Sequence, residues 1–238
     1  MGSTKRIAAL IFDFDGLIVD SETPGFRAWS EVYAAHGCPL PFDKYSACIG
    51  TIGGFDLHGY LEEQTGRSFD RADLERRCNS RWLELMHDQP MLPGIASCVS
   101  SAKKRGLGLA IASSSTEKWV SRNLKRFGLL DSFDAVCTSD YVGAVKPDPA
   151  LYLLALDKLG VAAGEAIAFE DSPNGILAAK RAGVFCIAIP NALTKDLPLE
   201  LADRRLNSLE EFDLDDVCRL RSQEESGELR RASQKRDE

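Results

Sequence analysis

The 238-residue chain contains no CxxC pair and only three histidines, and its apolar runs fall far short of a membrane span. Its seven cysteines, Cys38, Cys48, Cys78, Cys98, Cys137, Cys186 and Cys218, are scattered singly. An odd count without metal-ligand spacing reads as reduced thiols in a cytoplasmic protein. His36, His58 and His87 lie far apart, which argues against a histidine-based metal centre. Positive charge is also short: 29 Lys and Arg stand against 36 Asp and Glu, a net charge of −7. That leaves no general field for nucleic acid or an anionic membrane, so neither is an expected partner. The opening MGSTKR leads into a strand without the apolar stretch of a signal peptide.

What is present is an alternating rhythm. The run Ile7 to Asp13 is mostly apolar and reads as a buried strand. From Gly106 onward, strand patterns at 107–112, 134–139, 166–170 and 184–189 alternate with helical ones. The helices carry their own punctuation: Gly128 as a stop, Asp148 as an N-cap with Pro149 at the first helical position, and Gly183 at a C-terminus. Short apolar strands alternating with helices predict an α/β fold, a Rossmann-like parallel sheet with helices on both faces. Residues 22 to 88 break the rhythm with helical patterns only. The expectation is therefore an all-helical cap domain, 18–91, inserted after the first strand of a core formed by 1–17 and 92–220. Gly16–Asp20 and Gln89–Gly94 would be its hinges. The polar tail 221–238 reads as a solvated extension.

In an open parallel sheet, ligands bind beyond the carboxyl ends of the strands. There the first strand emits Asp13-Phe14-Asp15-Gly16, the second Ser113-Ser114-Ser115, and the fourth Glu170-Asp171-Ser172; the loop after the third carries Lys146-Pro147-Asp148. Four acids sharing one edge raise each other's pKa. A hard divalent cation such as Mg²⁺ relieves that conflict, taking carboxylates, waters and a substrate phosphate as ligands. Lys146 adds a second positive charge, and hydroxyl and N–H donors near Ser113 suit phosphate oxygens. Asp13 and Asp15, two apart on a strand, face the same side and can address one phosphorus, one attacking and one serving the leaving oxygen. The site reads as a phosphoryl-transfer centre.

DFDGLIVDSE, Ser113 after AIA, Lys146 in KPDP and EDSPNGILAAKRAG, in that order, resemble the four motifs of the haloacid dehalogenase superfamily, in its helical-cap branch near β-phosphoglucomutase. The resemblance covers Ile7 to about Pro190. It implies a Mg²⁺-dependent phosphatase acting on a small phosphorylated metabolite, such as a sugar phosphate, through an aspartyl-phosphate. Asp13 would be the nucleophile and Asp15 the general acid and base. Ser113, Ser114 and Lys146 would hold the phosphate; Asp13, the Asp15 carbonyl and Asp171 would bind Mg²⁺. Glu170 is left open between direct ligand and action through water. Such a protein is expected to be a monomer.

The resemblance also makes the 49–56 loop, IGTIGGFD, the one that faces the active site, with Gly50 and Thr51 as substrate contacts; a plain interhelical turn is the competing reading. Asp20 and Glu22 read as helix-start and hinge residues, Ser115 as a helix cap, and Trp29, Tyr33 and Trp82 as cap core. Two other activities compete with the phosphatase. One is a non-catalytic phosphometabolite-binding protein, disfavoured because every catalytic position is filled. The other is a hexose-phosphate mutase. For it, Gly25 stands where the mutase has a histidine, Ile49 where it has a lysine and Gly53 where it has an arginine. Lys44 or Arg67 could compensate, which keeps the mutase as runner-up.

Overall fold

Alternation of side chains along each strand builds two unlike faces. A computed structural model describes residues 6–218; the expected tail at 221–238 lies outside the described residues. The strands are β1 (Ala9–Phe12), β2 (Gly108–Ala112), β3 (Ala135–Cys137), β4 (Ala166–Glu170), β5 (Phe185–Ala188) and β6 (Arg204–Arg205). One face presents Leu10, Phe12, Leu109, Ile111, Ile167, Phe169 and Ile187. The other presents Ala9, Ala110, Ala112, Ala166, Ala168 and Ala188, small residues that let helices approach closely. α5 (Ile95–Lys104) and α6 (Glu117–Arg126) pack on the bulky face; α7 (Ala150–Leu159) and α8 (Pro173–Arg181) pack on the alanine face.

All pairings are parallel, in the order β3-β2-β1-β4-β5-β6. The chain steps outward from β1 to β3 and then crosses to β4 on β1's other side. β1 and β4 therefore flank the topological switch point, where open α/β sheets bind ligands. This is the α/β parallel sheet expected, with α5 and β6 added. β6 is only two residues long, both arginines, and offers no apolar run to read. One cap is shifted: Pro149 rather than Asp148 is the N-cap of α7, while Asp148 Oδ1 accepts from the Ala150 N–H at 2.9 Å.

Between β1 and α5 the chain is helical: α1 (Glu22–Ala35), α2 (Phe42–Tyr45), α3 (Leu57–Thr65) and α4 (Arg71–Met86). These helices gather around their own apolar cluster, with Ala28, Tyr33, Leu57, Leu61 and Leu74 at its centre. Asp56 and Asp70 cap α3 and α4, accepting from backbone N–H groups of their first turns. The two chain crossings into this unit run side by side: Val19 bridges Met91, and the Leu92 N–H donates to the Ile18 carbonyl at 2.9 Å. Among the described residues no helix is long and apolar enough to cross a membrane.

Candidate active site

Phe12 pairs with Phe169, so the next residues, Asp13 and Glu170, emerge side by side from β1 and β4. Asp13 is buried and its Oδ1 receives the Lys146 Nζ at 2.5 Å. Lys146 also pairs with Glu170 Oε1 at 2.6 Å, and the Tyr152 hydroxyl donates to the same oxygen. Glu170 Oε2 is buried without a partner. Gly175 makes room for that carboxylate, since a Cβ there would overlap it. Asp171 follows, also fully buried; its Oδ2 accepts from Asn191 Nδ2 at 2.8 Å and its Oδ1 has no partner. Gly16, at φ +80°, turns the chain directly over Asp171, where a Cβ would collide with the carboxylate.

Burial comes first in raising the Asp13 carboxyl to about 8; the Glu170 charge adds to the rise and Lys146 partly opposes it. Asp171 is raised well above the carboxylate range by burial, then by Asp13 and Glu22. For Lys146, burial acts to lower the pKa, but Asp13 and Glu170 outweigh it and hold the ammonium above the ordinary lysine value. Asp13, Glu170 and Asp171 can each offer an oxygen within 4.8 Å of the others. Two orphaned carboxylate oxygens in an all-oxygen donor set fit a hard cation such as Mg²⁺.

Asp15 faces a cavity of about 420 Å³ whose wall also includes Asp13. Its Oδ2 accepts from Ser115 Oγ at 2.6 Å and lies 3.4 Å from Ser113 Oγ, and its Oδ1 accepts from Trp119 Nε1 at 2.9 Å. Ser115 is therefore a partner of Asp15 and not the cap of α6; the N-cap is Thr116, which makes no side-chain cap bond. Ser113 is buried and accepts the Ser115 N–H at 3.0 Å. Lys146 is not part of the cavity wall and stands behind Asp13.

The 49–51 loop closes over these strand ends. Gly50 and Thr51 line the cavity, and three bonds fasten the loop to the sheet side. Ser114 Oγ donates to the Gly50 carbonyl at 3.2 Å, Asn174 Nδ2 to the Ile49 carbonyl at 2.9 Å, and Thr51 Oγ1 to the Lys146 carbonyl at 2.5 Å. Gly50 has φ +74°, and a Cβ there would overlap Ser172 Oγ. Ser21, Glu22, Tyr45 and Trp82 also line the cavity. Asp20 does start α1, accepting the Thr23 N–H at 3.0 Å. Glu22 opens that helix and faces the cavity, where burial, then the charges of Asp15, Asp13 and Asp20, push its carboxyl up to about 8. Tyr33 is buried in the apolar cluster of the helices, and Trp82 packs against that cluster while also lining the cavity and meeting Trp119 with ring centroids 4.5 Å apart. Sequence reasoning missed Trp119, Tyr152, Asn174 and Asn191. Asn191 was within reach, because it follows β5 as the other site residues follow their strands.

Residues 10–189 match the family model of the haloacid dehalogenase-like hydrolases. The chain belongs to that family. It is 45% identical over 208 residues to YhcW of Bacillus subtilis (strain 168), a phosphatase by name, covering 87% of this chain and 94% of that one. It is 32% identical to hexitol phosphatase B of Escherichia coli (strain K12), covering 91% and 99%. Among solved structures, a mutant of CbbY from Rhodobacter sphaeroides in complex with xylulose-(1,5)bisphosphate superposes with a TM-score of 0.72 at 33% identity, over 86% of this chain and 96% of that one. Within the haloacid dehalogenase-like hydrolases, the chain is a phosphoric monoester hydrolase.

Proposed function

We propose that the chain is a Mg²⁺-dependent phosphatase of a small sugar-like phosphate monoester, working through a phosphorylated Asp13. The observation that carries this reading is the pair of carboxylates, Asp13 and Asp15, in one cavity wall, the first braced by Lys146. The hexitol phosphatase among its relatives supports the substrate class.

The Asp13 carboxylate attacks phosphorus as the bond from phosphorus to the ester oxygen breaks, and Asp15 delivers a proton to that oxygen. Asp15 then takes a proton from the water that attacks the phosphorus of phospho-Asp13, returning free Asp13 and inorganic phosphate. Ser115 and Trp119 hold Asp15 toward the cavity throughout. Lys146 favours the ionised form of Asp13 against the burial that raises its carboxyl, and Ser113 turns its hydroxyl from Asp15 to the phosphoryl oxygens while Ser114 holds the Gly50 carbonyl. Asp13, Asp171, the Asp15 carbonyl and, directly or through water, Glu170 would hold Mg²⁺. When bound, the ion neutralises charge on the transferring phosphoryl group. Residues 18–91 act as a cap that opens at 16–20 and 89–94 to admit substrate and closes to exclude water.

The mutase reading finds little support. The space beside Gly25 is taken by the Tyr45 hydroxyl, so a larger side chain there would displace it. Lys44 lies over Phe55 and Arg67 over Phe69, and neither lines the cavity. The test is phosphate release by the purified protein from a panel of sugar, polyol, nucleotide and small-acid phosphates, with and without Mg²⁺. Metal-dependent release that Asp13→Asn abolishes is expected; no release from any ester defeats the proposal.

A further inference from the structure

The cavity wall carries charge of one sign. Its acids are Asp13, Asp15 and Glu22, and among the described residues no lysine, arginine or histidine lines it. Asp13 and Asp15 serve the phosphoryl group, and Glu22, at the start of α1, faces the same cavity with no part in that chemistry. Around it are neutral polar groups and indoles. The Tyr45 hydroxyl is close enough that the Glu22 charge, after burial, holds the phenol well above its usual pKa. Ser21 Oγ is buried in the same wall with no partner in the protein. Trp82 and Trp119 add indole surface, with both N–H groups engaged elsewhere, on the Ser21 carbonyl and Asp15.

A buried hydroxyl without a partner costs free energy unless something else bonds it. A carboxyl facing a cavity pairs readily with hydroxyl groups, and a second anion brought within a few ångströms of several acids is repelled and raises their pKa further. Aromatic faces suit the C–H side of a polyhydroxylated chain or ring. A leaving group with a second phosphate or a carboxylate would meet three acids and no lining cation to offset its charge. A leaving group of neutral hydroxyls would donate to Glu22 and satisfy Ser21.

Resting on the phosphatase reading above, we infer that Glu22 selects the leaving group: the enzyme takes phosphate monoesters of uncharged polyols or sugars and rejects esters bearing a second anion. The carboxyl oxygens of Glu22 accept hydroxyl protons of the leaving group, and Ser21 and Tyr45 line the cavity beside it.

Two matched pairs of substrates test this: fructose 6-phosphate against fructose 1,6-bisphosphate, and glycerol 3-phosphate against 3-phosphoglycerate, with p-nitrophenyl phosphate as a general reporter. The wild-type enzyme is expected to favour the neutral member of each pair by about 100-fold or more in kcat/KM. Glu22→Gln, which keeps the shape and removes the ionisable carboxyl, is expected to narrow that ratio by about tenfold. If p-nitrophenyl phosphate is hydrolysed but the anionic members match their neutral partners, the inference is overturned while the phosphatase reading stands. An unchanged ratio in Glu22→Gln overturns the role of Glu22. Failure on every ester, the reporter included, overturns the phosphatase reading and this inference with it. Should Glu22→Gln not fold, the wild-type ratios still decide whether a second anion is rejected, and Glu22→Ala, measured on the same pairs, decides the assignment.

Discussion

Thr51 donates its hydroxyl proton to the main-chain carbonyl of Lys146 at 2.5 Å. The residue comes from the helical insert and the acceptor from the loop that supplies the buried ammonium. With Asn174 on Ile49 and Ser114 on Gly50, it fastens the 49–51 loop over the strand ends by side-chain-to-backbone bonds. Such bonds contribute about 0.5–1.5 kcal/mol each, enough to bias a closing equilibrium without locking it.

Removing two of the three should therefore loosen closure without touching the chemistry. The double variant Thr51→Val/Asn174→Ala is expected to lose about tenfold in kcat/KM, mostly through KM. Steady-state kinetics on the best substrate check this. A loss confined to kcat would instead assign these residues to the chemical step.

Trp119 is a positioning residue: its indole N–H holds Asp15 Oδ1 while Ser115 holds Oδ2. Trp119→Phe preserves much of the packing on Trp82 and deletes that donor. kcat is expected to fall about tenfold with KM little changed. Trp119→Leu, which removes the ring as well, should also lower the melting temperature, whereas Trp119→Phe should not by more than a few degrees.

Metal should stabilise the fold itself. Orphaned oxygens on Glu170 and Asp171 predict that free Mg²⁺ at a hundred times its Kd adds about 2.7 kcal/mol to unfolding free energy. Thermal melts with Mg²⁺ and with EDTA measure this without any substrate. Asp171→Asn should abolish most of the difference. In EDTA, stability should also fall as pH rises from about 4 to 8. Asp13 has its carboxyl raised from 3.8 to about 8, so across that window the folded state holds a proton that the unfolded state releases.

Gly16→Ala should cost more than a surface substitution. The position sits at φ +80°, and the added Cβ meets the Asp171 carboxylate. A loss of roughly 1–3 kcal/mol is expected, together with a weakened Mg²⁺ response in the same melts. Gly53→Ala, also at positive φ but with open space around it, should show only the backbone cost and an intact Mg²⁺ response.

Much of the fold was legible because parallel strands buried on both faces read as short apolar runs, and each such run but one was found. β6 escaped because two arginines at a sheet edge carry no hydrophobic pattern. The convergence of Asp13, Asp15, Glu170 and Asp171 was legible because strands pointing one way deliver their next residues to one edge. The rule also reaches Asn191, just after β5. It could not assign hydroxyls: Ser113, Ser114 and Ser115 look alike in sequence, yet Ser113 and Ser115 turn to Asp15 and Ser114 to the loop. Ser115 donates to Asp15 and Ser114 to Gly50, while Ser113 receives the Ser115 N–H.

The chemistry was written in local order: two acids spaced i, i+2 after an apolar strand, a lysine, and two more acids after another strand. Strand geometry turns that order into a constellation wherever the chain folds at all. The cavity's character belongs to the tertiary level. Glu22 becomes a wall of the site, rather than a helix-start residue alone, only when α1 and the 49–51 loop pack down on the strand ends. That packing joins segments scores of residues apart through backbone carbonyls, which every residue possesses and no sequence pattern marks.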